Sequence, residues 1–325
     1  MQAIVIREFG GPENLELREV ETPTPGERQV RLAVHATALN RADLLQRRGM
    51  YPPPKGESDV LGLECSGVVE ALGDGVTKLK EGDRVMALLP GGGYAENALI
   101  HEDMAIPIPA SMSFEEAAAI PEAFLTAQEA LFGLGGLVPG QTVLVHAAAG
   151  GVGSAAVQLA HVGGGKVIGT AGSEEKLELV TRLGADLGVN YKTHDFAEEA
   201  KKFSPGGVNL VLDFIGGSYW EKHAQCLAIA GRCVVIGVLG GPMANVNLAL
   251  LLMKRHQILG LVMRSRTLED KIRITQEFIR TNLPHFSTGK LKPVLDEIFP
   301  LADAQKAHER MEQNANSGKI ILRVR

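Results

Sequence analysis

The run VLVHAAAGGVGSAAVQLA at residues 143–160, followed by KVIGTAGSEEKL at 166–177, constrains the fold more than any other part of the chain. Its pattern is strand, glycine turn, helix, second strand. Residues 143–146 form a short apolar run of the kind found in buried parallel strands. Gly150, Gly151 and Gly153 carry no Cβ, so the backbone can turn sharply there and come close to a ligand. A helix is expected to begin near Val152, with Val152, Ala155, Ala156, Leu159 and Ala160 on its inner side. The loop Ala149, Gly150, Gly151, Val152, Gly153 then presents free N–H groups at a positive helix end, where an anion is stabilised. A dinucleotide pyrophosphate is held in this way. The second strand arrives about 20 residues on, as the dinucleotide fingerprint requires. One departure is Ala148 at the first glycine position of G-x-G-x-x-G, which the turn accommodates if φ stays negative there.

The end of the second strand selects the dinucleotide. NAD-preferring sites place an acid there to bind the ribose 2′-OH, and that acid repels a 2′-phosphate. This chain offers Gly172 and Ser173, with no acid before Glu174. Ser173 can donate a hydroxyl, and Lys176 lies within reach of a phosphate from the following helix. The pattern predicts NADPH over NADH. A plainer reading makes Ser173 only a helix N-cap and Lys176 a solvated lysine.

At 325 residues the chain has the size of a two-domain enzyme. Its 45% hydrophobic and 22% charged residues are globular in balance, and its 38 glycines gather at strand-to-helix turns. A net charge of −5 without a basic block weighs against nucleic acid or an anionic membrane as the main partner. No stretch of about 18 apolar residues suggests a membrane span, and the first residues lack a signal-peptide pattern. The three cysteines, Cys65, Cys226 and Cys233, are odd in number and dispersed, which fits a reducing, cytoplasmic setting.

The pattern before residue 120 is β-rich, with strands expected at 2–7, 15–20, 29–38, 67–72, 84–88 and 94–100 and a short helix at 39–47. Residues 51–54 form a proline-stiffened loop. Ser113 with Glu116 makes a capping box for a helix that breaks at Pro121, and a second helix is expected over 122–131. Strands at 187–190, 210–214, 232–236 and 257–262 then alternate with helical or polar segments, the sign of a doubly wound parallel sheet. After residue 263 the order is helix 268–282, strand 293–299, helix 303–313 and strand 319–324. The expected division is 1–121 with 265–325 as one domain and 122–264 as the other, with the active site in the cleft between them.

The segments LNRADLLQRRGMYPPP (39–54), LGLECSGVV (61–69), EGDRVMAL (81–88), GGYAE (92–96) and HAAAGGVGSAAVQLA carry a further signal. Together they resemble the medium-chain dehydrogenase/reductase superfamily, and within it the zinc-independent quinone oxidoreductases related to zeta-crystallin. The similarity runs from Met1 to GKIILRV at 318–324. It implies an α/β fold, a GroES-like β-rich catalytic domain plus a Rossmann domain, and a homodimer joined through the edge strand at 257–262. His161 departs from the family's basic or serine residue on the glycine-turn helix.

The zinc-binding relatives use a Cys and a His where this chain has Asn40 and Leu63, and residues 81–98 contain no cysteine in place of their structural-zinc lobe. No metal is expected. Hydride can pass from nicotinamide to an electron-poor quinone, with the protein supplying orientation. Candidates to meet the quinone are Asn40, Asp43 and Tyr51. Asn40 could instead satisfy loop backbone, and Asp43 could cap or pair with Arg41 or Arg47. The resemblance also places Thr126 on the nicotinamide side and Tyr191 at the adenosine 2′-phosphate. It puts Gly216 and Gly237, Val238, Leu239 beside the nicotinamide ribose, and Asn316 and Lys319 over the cofactor phosphates. Met263 and Leu239 are expected as apolar walls. Two other activities remain open: reduction of an enoyl-thioester or alkenal double bond, and a noncatalytic, crystallin-like or RNA-binding role with NADPH bound.

Overall fold

The computed structural model describes Met1–Arg325, and the chain divides into two units, Met1–Leu125 with Met263–Arg325, and Thr126–Val262.

The first unit is built on a seven-stranded sheet. Its central strand, Gln29–Ala38, pairs antiparallel with Glu64–Leu72, Asn97–His101 and Lys319–Arg323. The C-terminal strand therefore returns to the N-terminal sheet. Alternation explains the packing, since side chains on a strand point to opposite faces in turn. Val30, Leu32 and Val34 enter one apolar cluster with Cys65, Val69 and Val85. Cys65 lies on that apolar side, and burial pushes its thiol up to about 12. Its neighbour Glu64 points to the other face and meets the polar groups described below. The Gln2–Ile6 and Leu15–Glu19 ribbon and helix Ala304–Glu312 bury a second cluster around Ile4, Leu39, Leu44 and Met311.

The second unit is a six-stranded parallel sheet. From one edge the strands are Leu187–Asn190, Lys166–Ala171, Thr142–Val145, Val208–Asp213, Leu227–Val235 and Gln257–Gly260. The order reverses at Thr142–Val145, which makes the carboxyl ends of that strand and its neighbours the ligand-binding crevice of a doubly wound sheet. The central strands are apolar runs, as expected where both faces of a parallel sheet are covered. Val143, Leu144 and Val145 have no solvent exposure.

Two differences from the expected elements have clear local causes. The helix at Pro121 runs only to Gln128 before widening into a π-helical turn at Glu129–Leu134. The expected strand at 232–236 begins earlier, at Leu227, and its pairing with Val208–Asp213 shifts register between Val208 and Leu210. Ala230 sits there at φ 58°, an irregularity that hydrophobic alternation does not signal.

Candidate functional site

In the second unit the glycine turn lies between strand Thr142–Val145 and helix Gly151–Val162. The helix N-cap is Gly150, which has no side chain to satisfy the first-turn N–H groups, and the first turn holds no acid. The donors and the positive helix end are left for an anion. A Cβ on Gly153 would come to 2.2 Å from the Ala147 carbonyl oxygen, so only glycine lets the helix pack this close. The positive φ of the turn falls on Ala147, at 46°, and not on Ala148. Ala148 instead donates its N–H to the Thr170 carbonyl at 3.0 Å, tying the turn to the second strand. Ala149 is buried at the floor of the loop, and Val152 is half-buried.

At the end of the second strand, Ser173 accepts the Lys176 N–H at 3.4 Å and caps the helix Glu174–Arg182. The first acid, Glu174, is engaged by the Asn190 amide at 2.9 Å. The Tyr191 hydroxyl lies over Gly172, where a Cβ would approach it to 2.7 Å. Gly172, Ser173, Lys176 and Tyr191 thus lie close to one another at the end of the second strand. Gly216, at φ 83°, and Gly217 continue from strand Val208–Asp213. They are held against residues 237–241 by Gly217 N–H to Gly241 O at 2.8 Å, with Leu239 N–H to Phe214 O at 3.2 Å. A Cβ on Gly237 would press on the Phe214 carbonyl at 3.0 Å. Val238 and Leu239 are exposed.

Thr126 is buried, and its hydroxyl has no hydrogen-bond partner in the protein. A buried orphan donor is costly and calls for a ligand acceptor. The uncapped helix end and this hydroxyl fit a dinucleotide.

The first unit contains a polar centre at the N-terminus of helix Arg41–Arg47. The Lys319 ammonium donates to Leu39 O at 2.8 Å and Asn40 Oδ1 at 2.7 Å, and pairs with Glu64 Oε1 at 2.6 Å. Asn40 Nδ2 donates to Glu64 Oε1 at 2.9 Å and to Ala38 O at 3.3 Å. Both amide hydrogens are committed, so Asn40 holds the centre together and does not offer its amide to an acceptor. Lys319, similarly, is 5% exposed and spent within this unit rather than reaching a cofactor phosphate. Asn316 donates to Gly318 O at 2.9 Å and shapes the turn before the last strand.

Asp43 is also placed differently from the expected acceptor contact. It is fully buried and accepts from Asn40 N at 2.7 Å, the Tyr94 hydroxyl at 3.1 Å and Gly62 N at 3.3 Å. Burial outweighs these bonds and pushes its carboxyl up to about 6. The chain of contacts continues from Tyr94 to His308 at 3.3 Å and from His308 to Arg47 at 3.2 Å. Asp43 has no open face for a substrate.

Tyr51 remains half-buried, with burial raising its phenol above its ordinary value. Its loop is pinned by Arg264, which donates to Tyr51 O at 3.1 Å and Pro90 O at 2.6 Å, with its guanidinium 5.2 Å from the Tyr51 ring centroid. One terminal nitrogen of Arg264 is buried without a partner. The Met263 side chain beside it is buried and apolar.

Sequence reasoning missed Glu122. Its N–H donates to Glu64 Oε2 at 2.8 Å, and its carboxyl sits among the charges of Glu64, Lys319, Asp43 and Arg264. Burial first, then Glu64, pushes that carboxyl up to about 8, so it is mostly protonated at neutral pH. Glu122 and Thr126 are four residues apart on helix Pro121–Gln128 and therefore share a face. Only the surroundings of this acid distinguish it from the other acids at helix starts. No helix in either unit is long and apolar enough to cross a membrane.

Comparison with known proteins agrees with this geometry. Residues 26–110 match the alcohol dehydrogenase GroES-like domain, and residues 151–278 match the zinc-binding dehydrogenase family. The chain is 36% identical to the synaptic vesicle membrane protein VAT-1 homolog of Rattus norvegicus, over 99% of this chain and 84% of that protein. It is 35% identical to the quinone oxidoreductase of the same species, over 99% and 97% of the two chains. Among solved structures, the Escherichia coli quinone oxidoreductase complexed with NADPH aligns over 100% of both chains, with 32% identity and a TM-score of 0.89.

Proposed function

The chain belongs to the medium-chain dehydrogenase/reductase superfamily, with the quinone oxidoreductases, and from that premise we propose that it is an NADPH-dependent, zinc-independent quinone reductase. The observation that carries this reading is Lys319. Its ammonium takes Leu39 O, Asn40 Oδ1 and Glu64 Oε1, the oxygen donors available beside the position where related enzymes hold zinc. A positive charge is already built into the polar centre. The favoured acceptor is then one that takes hydride without a Lewis acid, and a quinone delocalises the incoming charge by itself.

Ala149, Gly150, Gly151, Val152 and Gly153 would hold the pyrophosphate, and Gly172, Ser173, Lys176 and Tyr191 the 2′-phosphate. Thr126, Gly216 and Gly237 to Leu239 would line the nicotinamide end. Bound nicotinamide supplies the hydride. The protein's own part is to orient the acceptor and deliver one proton. The Tyr51 phenol, fixed through Arg264, donates a hydrogen bond to one quinone oxygen. The neutral Glu122 carboxyl gives its proton to the reduced acceptor, completing the hydroquinone, and regains one from solvent before the next turnover. Asn40 and Asp43 position this centre, and Met263 and Leu239 serve as apolar walls.

A second reading, reduction of an enoyl thioester or alkenal, is favoured by the same Glu122, since such a reaction needs a proton donor for the α-carbon. We assign the activity to a cytoplasmic homodimer, with residues 1–121 and 265–325 serving the acceptor and 122–264 the cofactor. Direct titration tests the cofactor assignment. NADPH should bind at least several-fold tighter than NADH, with most of the difference lost in Lys176→Ala. Equal affinities in the wild type would remove it.

A further inference from the structure

Beneath the crevice of the parallel sheet lies a buried polar chain that the proposed chemistry does not use. Thr170 Oγ1 meets His146 Nδ1 at 3.0 Å, and His146 Nε2 meets His223 Nε2 at 2.9 Å. His223 Nδ1 then faces Asp213 Oδ2 at 3.7 Å. The other Asp213 oxygen accepts the N–H groups of Ile215 at 2.8 Å and Gly216 at 3.0 Å. His146 and His223 have no solvent exposure, and Phe196, Tyr219 and Trp220 surround the pair or the cluster next to it.

The ends of this chain lie in different parts of the crevice. Thr170 precedes Gly172 and Ser173, and its carbonyl holds Ala148 of the glycine turn at 3.0 Å. Asp213 holds the Ile215–Gly216 loop, at the end assigned to nicotinamide. One pattern of protons satisfies both hydrogen bonds of the chain, with Asp213 in longer electrostatic contact at 3.7 Å and Cys233 Sγ 3.9 Å from the same His223 nitrogen. The Asp213 carboxylate favours the proton on His223 Nδ1, so His223 Nε2 accepts from His146 Nε2–H, and His146 Nδ1 accepts the Thr170 hydroxyl. Burial drives both imidazoles toward the neutral form, with His223 brought down to about 3 and His146 held well below its usual value. Apolar side chains would fill this space at less desolvation cost. A polar chain running from the second strand to the Ile215–Gly216 loop is suited to a different task.

We infer that Thr170, His146, His223 and Asp213 are positioning residues that couple the adenosine and nicotinamide ends of the nucleotide crevice, so that occupation of one end sets the loop at the other. The inference rests on the NADPH reading and extends it to how the site assembles. Loss of a link should leave each end able to bind alone and remove the help each gives the other.

The two halves of the cofactor separate these effects. Reduced nicotinamide mononucleotide is titrated into the full-length protein with and without saturating adenosine 2′,5′-bisphosphate. In the wild type the bisphosphate should tighten mononucleotide binding by about fivefold or more, the lower range of measured couplings. His223→Phe should bring the factor to within about twofold of one, with bisphosphate affinity unchanged, because the factor is the coupling itself. Thr170→Val removes only the hydroxyl at nearly constant volume and should act in the same way if His223→Phe fails to fold. Nitrogen-15 spectra of the wild-type histidines should show two neutral rings, protonated at Nε2 of His146 and Nδ1 of His223. Full coupling in both variants, or none in the wild type, would overturn the inference. Failure of the bisphosphate to bind the wild type at all would overturn the NADPH reading and this inference together.

Discussion

Glu122 is an acid whose environment departs far from what its type suggests. An unfolded carboxyl releases its proton near 4.5, whereas this one keeps it to about 8. Between those values the folded chain binds more protons than the unfolded chain, so this residue makes stability decline as pH rises, and the decline ends above about 8. Glu122→Gln should flatten that part of the melting-temperature profile. If Glu122 is the proton donor, turnover in the wild type should hold at neutral pH and fall as pH rises through about 8, and the glutamine variant should be slow with no such limb, by about 10²-fold or more. A wild-type alkaline limb preserved in Glu122→Gln would assign the proton to another group. Residues of this kind are poorly legible in sequence. Asn40 and Asp43 were recognisable as polar groups near a site, but the strand pairing that brings Lys319 between Asn40 and Glu64 joins residues 279 and 255 apart. Periodicity says which face a side chain occupies, not which distant partner uses up its hydrogen bonds.

At the scale of elements, the glycine turn states its own structure. The spacing of Gly150 and Gly153 between an apolar strand and an alanine-rich helix requires a close approach, and the 2.2 Å that a Gly153 Cβ would leave to Ala147 O is the physical reason. Gly153→Ala should therefore destabilise the fold by about 1–3 kcal/mol, the usual range for overpacking. It should also weaken NADPH binding, because relief requires moving the helix whose N-terminus is proposed to hold the phosphates. Calorimetry with and without NADPH measures both effects, and an unchanged melting temperature would contradict the packing argument. The alternation of strands and helices, and the return of the last strand to the N-terminal sheet, were legible for the same reason: each follows from a repeating pattern. The π-helical turn at Glu129–Leu134 and the irregularity at Ala230 were not, since each breaks a pattern at a point set by tertiary packing.

At the scale of the whole molecule, the parallel sheet ends on strand Gln257–Gly260, whose outer edge has no strand partner within the chain. Ile258 is exposed on it, and nearby in sequence Met243, Leu248, Leu252 and Met253 are between 71% and 84% exposed. Such an edge beside so much bare apolar surface needs cover. In the proposed homodimer a second copy related by a twofold axis would provide it, because each edge would then pair with its own mate. Light scattering at micromolar concentration should give the mass of a dimer, and Ile258→Lys should shift it toward monomer. A monomeric wild type would remove that assignment without touching the chemistry. The chemistry itself is met most directly by single-turnover oxidation of bound NADPH, followed with an exhaustive chelator present, on mixing with a panel of quinones, an alkenal and an enoyl thioester. Rapid oxidation by a quinone, undiminished by the chelator and much faster than with either unsaturated carbonyl compound, is the predicted result. NADPH that is left unoxidised by every quinone, or oxidation that stops with the chelator and returns with stoichiometric zinc, would contradict it.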